Sequence, residues 1–198
     1  MAEYNIYSGI ISSGITLSSY DSMYISSGGT AGNTDVNAGG SMIIYAGGSA
    51  SNTLLNGFCE ENDYERAFLS VNGTANSTVV NSRGDMRIYS GGIASNTIVN
   101  SGGYMSIDSC GGRADCTTVD SGGKIIIFSG ANATALTLSA GGVLGCFAFS
   151  EDKYIASVSD GSAFVAKNTF IVDSQMHVSA GGKTGNTKVF FGGSMFIY

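Results

Sequence analysis

The stretch GGIASNTIVNSGGYMSIDS, residues 91–109, decides the fold, because residues 28–46 repeat it as GGTAGNTDVNAGGSMIIYA. Further copies start at Gly47, Asn72, Gly111, Gly130 and Gly181, with weaker ones before Gly28 and near Gly161. From Gly28 the start-to-start distances are 19, 25, 19, 20, 19, 31 and 20 residues. A period of this size marks a chain built from stacked supersecondary units.

Numbering the first Gly of each unit as position 1 sorts the chain into columns. Position 7 holds Thr34, Thr53, Thr78, Thr97, Thr117 and Thr187, and position 9 holds Val36, Leu55, Val80, Val99, Val119, Leu138 and Val189. Position 15 holds Met42, Met86, Met105, Ile125 and Met195, and position 17 holds Ile44, Ile88, Ile107, Ile127 and Ile197. Each half of a unit thus repeats apolar or semi-apolar residues at i and i+2, which is the strand period. Each half is too short for a helix and is bounded by Gly pairs, which supply the positive φ angles of tight corners. One unit is therefore two short strands and two corners. It cannot bury its inward face alone, but stacking units about 4.8 Å apart turns positions 7, 9, 15 and 17 into internal ladders. The sequence predicts an all-β chain: a right-handed parallel β-helix, or β-solenoid, of about nine coils forming one domain over residues 1–198, its hand taken from the crossover rule. Position 4, with Ala31, Ala50, Ala75, Ala94, Ala114 and Ala133, suits a crowded corner. At position 10, Asn37, Asn56, Asn81 and Asn100 are placed to hydrogen-bond from coil to coil along the axis.

Composition narrows the partners. The chain has 30 Gly, no Pro and no Trp, and only 12% of its residues are charged, while 43% are hydrophobic, which argues against disorder. The net charge is −6, and the nine Lys and Arg form no cluster along the sequence, so no basic stripe awaits a nucleic acid. No apolar run reaches the ~18 residues of a membrane span, and the opening MAEYNIYSG has no signal-peptide character. Cys59, Cys110, Cys116 and Cys146 lack zinc-site spacing and are expected as free thiols, with Cys110 and Cys116 the one pair near enough to bridge across a corner. His177 is the only histidine, and no Asp recurs in phase as a calcium repeat requires, so no metal and no cofactor is expected.

Residues 91–103, GGIASNTIVNSGG, match throughout the pattern GG-x-A-x-x-T-x-V-N-x-GG. In this the chain resembles the AIDA repeat of bacterial autotransporter adhesin passenger domains, over most of its length from about Gly28 to Tyr198. The resemblance implies a secreted or surface-displayed β-helix that mediates attachment or self-association. In some members Ser and Thr are glycosylated by a dedicated glycosyltransferase. The chain shows neither a signal peptide nor a following β-barrel, so the resemblance extends to the repeat alone.

The repeat breaks at CEENDYERAFLSV, residues 59–71, and at VLGCFAFSEDKYIASVSD, residues 143–160, both expected to emerge as loops. The first makes Glu60, Glu61, Asp63 and Glu65 candidate loop contacts. Adjacent carboxylates on a loop do not make the fixed pair of an acid–base enzyme. A candidate contact surface lies on the outward columns: Tyr45, Tyr89 and Phe128 at position 18, interrupted by Asp108, and Leu54, Val79 and Ile98 at position 8. The leading expectation is a structural or adhesive rod that meets a protein or glycan surface, or another copy of itself, and is not an enzyme. Against it stand a carbohydrate-active β-helix enzyme of the pectate-lyase type, which needs a groove lined by Asp, Lys or Arg in neighbouring coils, and a spacer rod with no ligand. An ice-binding face is the weakest alternative, because the Thr column is in phase with the inward position 9.

Overall fold

A computed structural model describes residues 1–57, 65–108, 111–128, 131–139, 142–147, 154–158, 165–167, 170–172, 174–178, 183–185, 188–190 and 194–197. Every pairing between its strands is parallel. One sheet has ten strands, a second has twelve, two of which lie off its main path, and a third has two. The described residues contain no helix. The chain is a β-solenoid with ten rungs on its first sheet, where about nine were expected.

The first sheet is built from the second halves of the units, among them Ser41–Ile44, Gly84–Ile88, Tyr104–Ile107 and Lys124–Phe128. Strand register puts Met42, Leu69, Met86, Met105 and Ile125 in one ladder and Ile44, Val71, Ile88, Ile107 and Ile127 in the next. All are fully buried. Burial of each such side chain stabilises by about 1.5–3 kcal/mol. Leu69 and Val71 belong to a regular rung, Ala67–Val71, so this part of residues 59–71 is core strand and not an inserted loop. The alternation of Leu69 and Val71 is the cause: it continues the same inward period.

Each unit has two strands, as expected, but the one in the second sheet is not short: Thr30–Asn37 and Ser49–Asn56 run eight residues and bend in the middle. Both Ala at position 4 and Thr at position 7 are buried, although alternation would put them on opposite faces. The bend reconciles them. Position 6 is left-handed at Asn33 (φ 49), Asn52 (φ 53), Ser77 (φ 56), Asn96 (φ 53), Cys116 (φ 52) and Ala135 (φ 50), which adds a residue on the outside of the turn. Asn is the side chain that best tolerates this region after Gly.

Val143–Phe147, inside the second predicted loop, is still a regular rung of the first sheet paired with Lys124–Phe128, and only beyond Phe147 do the repeat and the sheets part company. Tyr154–Val158, inside the second predicted loop, is a strand of the second sheet, paired with Ser174–Val178. In the last rungs the halves change places: Lys188–Phe190 joins the first sheet and Ser194–Ile197 the second. Met195 therefore packs against the core from the sheet opposite to Met42. The extra rung supplied by the insertion is less than a whole coil, so each later half lands on a different face.

Candidate functional site

Among the described residues the core holds apolar ladders and a buried Thr column, Thr34, Thr53, Thr78, Thr97 and Thr117, and the candidate residues lie on the outer surface. Asn100 donates to the Asn81 side-chain oxygen at 2.6 Å, and Asn81 to that of Asn56 at 2.7 Å. The Asn column is thus a corner ladder whose amides are occupied by one another. Cys116 is an exposed free thiol, while Cys59 and Cys110 lie outside the described residues.

Among the candidate contact residues, Tyr45 is 46% exposed and stacks on Tyr24, with ring centroids 6.5 Å apart and planes at 16°. Tyr89 and Phe128 are half-buried, as is Asp108 between them. On the second sheet Ile98 is exposed, while Leu54 and Val79 are half-buried. The columns face outward, but they do not form one continuous apolar band. Glu65 accepts a hydrogen bond from the Ser19 hydroxyl at 2.6 Å. Glu60, Glu61 and Asp63, like Tyr198, lie outside the described residues.

A different cluster stands on the outer face of the first sheet. Register aligns Phe68, Asp85, Tyr104 and Lys124 across four neighbouring rungs. Asp85 is only 2% exposed, and its carboxylate accepts hydrogen bonds from Arg66 Nη1 at 3.0 Å and from Arg87 Nε and Nη2 at 3.1 and 3.0 Å. A buried carboxylate is costly unless it is paired in this way. The bond to Asp85 raises the Arg87 pKa above the usual guanidinium range. Arg87 also lies over the Phe68 ring, 5.5 Å from its centroid, and the Lys124 ammonium lies 5.9 Å from the Tyr104 centroid. Burial pushes the Tyr104 hydroxyl up, with the Asp85 charge acting the same way. Burial also raises the Asp108 carboxyl, which Arg87 partly offsets.

Beside this cluster opens a hollow of about 290 Å³ lined by Arg66, Arg83, Gly84, Gly102, Tyr104 and Lys124. Its geometry depends on a corner column. Backbone bonds run from Tyr20 N to Gly39 O, from Gly39 N to Arg66 O, from Arg83 N to Gly102 O and from Gly102 N to Gly122 O. Gly39, Gly102 and Gly122 have φ of 73, 74 and 79. Tyr20, at φ 66, and Arg83, at φ 57, keep the same left-handed backbone with full side chains, each at a cost of about 1–2 kcal/mol. The linear sequence scatters Arg66, Arg83, Arg87 and Lys124, but coiling brings them onto one face. The signal available in the sequence was Arg83 in place of the first Gly of the second pair, with Arg66 at the matching corner across the insertion.

Among the described residues no group of His, Cys, Asp and Glu is placed to hold a metal ion, and no helix is long and apolar enough to cross a membrane. No family model and no curated protein matches the chain. Among solved structures the chain is similar to a hyper-glycosylated fragment of TibA, TibA55-350, modified by TibC. The TM-score is 0.54 at 23% identity, over 99% of this chain and 92% of that one, and at this identity the likeness is one of fold: a solenoid of the same general shape.

Proposed function

We propose that the chain is a structural and adhesive β-solenoid module, displayed at the cell surface or secreted, that attaches to a protein or glycan surface or to another copy of itself. The observation that carries this reading is the division between inside and outside. Among the described residues, apolar ladders and the Thr column fill the interior, and the exposed aromatic and charged residues stand on long outward faces. The AIDA-like repeat and the fold shared with the glycosylated TibA fragment support the same reading. Corner hydroxyls such as Ser27, Ser82 and Ser101 are exposed and are acceptors for a dedicated glycosyltransferase.

Beads carrying the full chain should be retained on cell or glycan-coated surfaces under flow at several times the level of beads carrying a neutral protein. Equal retention of the two kinds of bead would reject adhesion and leave a spacer rod. Intact mass of the chain from its native host should exceed the sequence mass by sugar increments; an unmodified mass would reject glycosylation.

One observation favours a second reading, a carbohydrate-active enzyme, because Asp85 and Arg87 share one rung and Lys124 stands two rungs away on the same face. Yet Asp85 accepts bonds from both Arg66 and Arg87, so its carboxylate anchors guanidinium groups and is poorly placed to act as a base. Formation of new reducing or unsaturated sugar ends from an acidic polysaccharide would support the enzyme; their absence would reject it.

A further inference from the structure

We propose that the buried Thr column of the second sheet binds a single file of ordered water molecules, one between each successive pair of rungs. The proposal concerns the inside of the solenoid and stands apart from the adhesive reading.

The column is continuous over five rungs. Register places Thr34 against Thr53 and Thr53 against Thr78. Val79 pairs with Ile98, which sets Thr78 against Thr97, and Thr97 pairs with Thr117. All five Thr are no more than 2% exposed, and none of their hydroxyl oxygens has a hydrogen-bond partner within the protein. The column also has two closed ends. Thr16 pairs with Asp35, which sets Ile15 against Thr34, and Thr118 pairs with Thr137, which sets Leu136 against Thr117. Ile15 packs against the core and Leu136 is fully buried, so an aliphatic side chain stops the row of hydroxyls on either side.

Magnitudes argue that these hydroxyls have a partner. One buried hydroxyl left unpaired lowers the folding equilibrium constant about tenfold. Five of them would lower it on the order of 10⁵-fold, which is comparable with the whole stability of a small domain. Val has the outline of Thr without the hydroxyl, and the neighbouring inward column, with Val36, Val80 and Val99, shows that it suits this sheet. Five Thr in register where Val would fit therefore call for a ligand that hydroxyls can bind.

Geometry and chemistry select water. Rungs about 4.8 Å apart hold the hydroxyls beyond the reach of a direct O–H···O bond, about 2.5–3.0 Å. An oxygen atom set beside the midpoint of two such hydroxyls lies about 2.8 Å from both. Each Thr hydroxyl has one donor and two acceptor sites, and water has two donors. A chain can thus run from hydroxyl to water to hydroxyl along the axis, each bond strengthening the next. The left-handed residue at position 6 turns the Ala and Thr columns into one interior corner, where Ala94 and its counterparts bring only a methyl group. That leaves space beside the hydroxyls, as a buried water requires. A cation does not suit the corner: among the described residues no carboxylate shares this interior, so its charge would be unpaired.

The test uses the full chain. Nuclear magnetic resonance reads magnetisation transfer from water to methyl groups, and a crystal at atomic resolution shows the density between the hydroxyls. The Thr methyls of the column should receive transfer from long-lived water, and those of Ile107 should not. Density should show one water between each pair of rungs. Thr97→Val keeps the shape but deprives the waters on both sides of a partner, so the folding equilibrium constant in urea should fall at least about fivefold. Thr118→Val, on the outward face, should change it by less than about twofold. Density without water between the hydroxyls, or a Thr97→Val variant more stable than the original chain, would overturn the proposal.

Discussion

Ile107 and Ile98 belong to the same coil and differ in one respect, the face they take. Ile107 is completely buried between Ile88 and Ile127, whereas Ile98 is 40% exposed on the second sheet. Ile107→Asp should cost at least about 4 kcal/mol in urea denaturation, because it removes a core side chain and buries an unpaired charge. Ile98→Asp should cost under about 1 kcal/mol. Similar costs would place the inward period one residue off. Asp108 gives a test with pH. Its folded-state carboxyl is raised, chiefly by burial, so the ionised form burdens the fold and stability is gained as pH falls through the folded value. Asp108→Asn should therefore stabilise the chain at pH 7, and the advantage should disappear near pH 3.5, below the unfolded-state pKa of about 3.9. An advantage of the same size at both pH values would show that ionisation is not its source.

The element that organises the second sheet is the bend at position 6, and its energetics are local. Asn96 sits at φ 53 and donates a hydrogen bond to Asn76 at 3.0 Å. Asn96→Gly should change stability by less than about 1 kcal/mol, since Gly adopts this angle freely. Asn96→Val should cost about 1–3 kcal/mol, because a β-branched side chain is strained there. Equal effects in thermal or urea unfolding would mean that the backbone angle is not what Asn supplies. The ladders were legible in the sequence because Met105 and Ile107, or Thr97 and Val99, obey a strict period of two. The bend was not, because Ala94 and Thr97 are both inward and only a left-handed residue between them reconciles the two. Its trace was present in the recurrence of Asn33, Asn52 and Asn96 at one position. The charged cluster was harder to see. Arg66 and Lys124 are distant in sequence, and only the stacking of rungs makes them neighbours.

At the scale of the whole molecule, each rung contacts its neighbours alone, so what the solenoid offers to a second copy depends on which outward residues line up along the axis. Tyr24 and Tyr45 form a stacked aromatic contact between adjacent rungs on the first sheet, and Ile93 and Ile98, 39% and 40% exposed, are apolar positions on the second. Phe196, 41% exposed, lies in the last rung of the second sheet. Two modes of self-association therefore make opposite demands. Lateral contact needs Tyr45 and Ile98, whereas contact through the last rung needs Phe196. The interruption of position 18 by Asp108 keeps the lateral apolar patch small, and small patches give weak, concentration-dependent contacts. Sedimentation at increasing concentration should show reversible association that Tyr45→Ser combined with Ile98→Ser weakens at least about tenfold, a change of about 1.4 kcal/mol. Phe196→Asp should leave that association intact. The reverse pattern would move the contact to the last rung, and a monodisperse monomer at all concentrations would leave the outward faces to partners of other kinds.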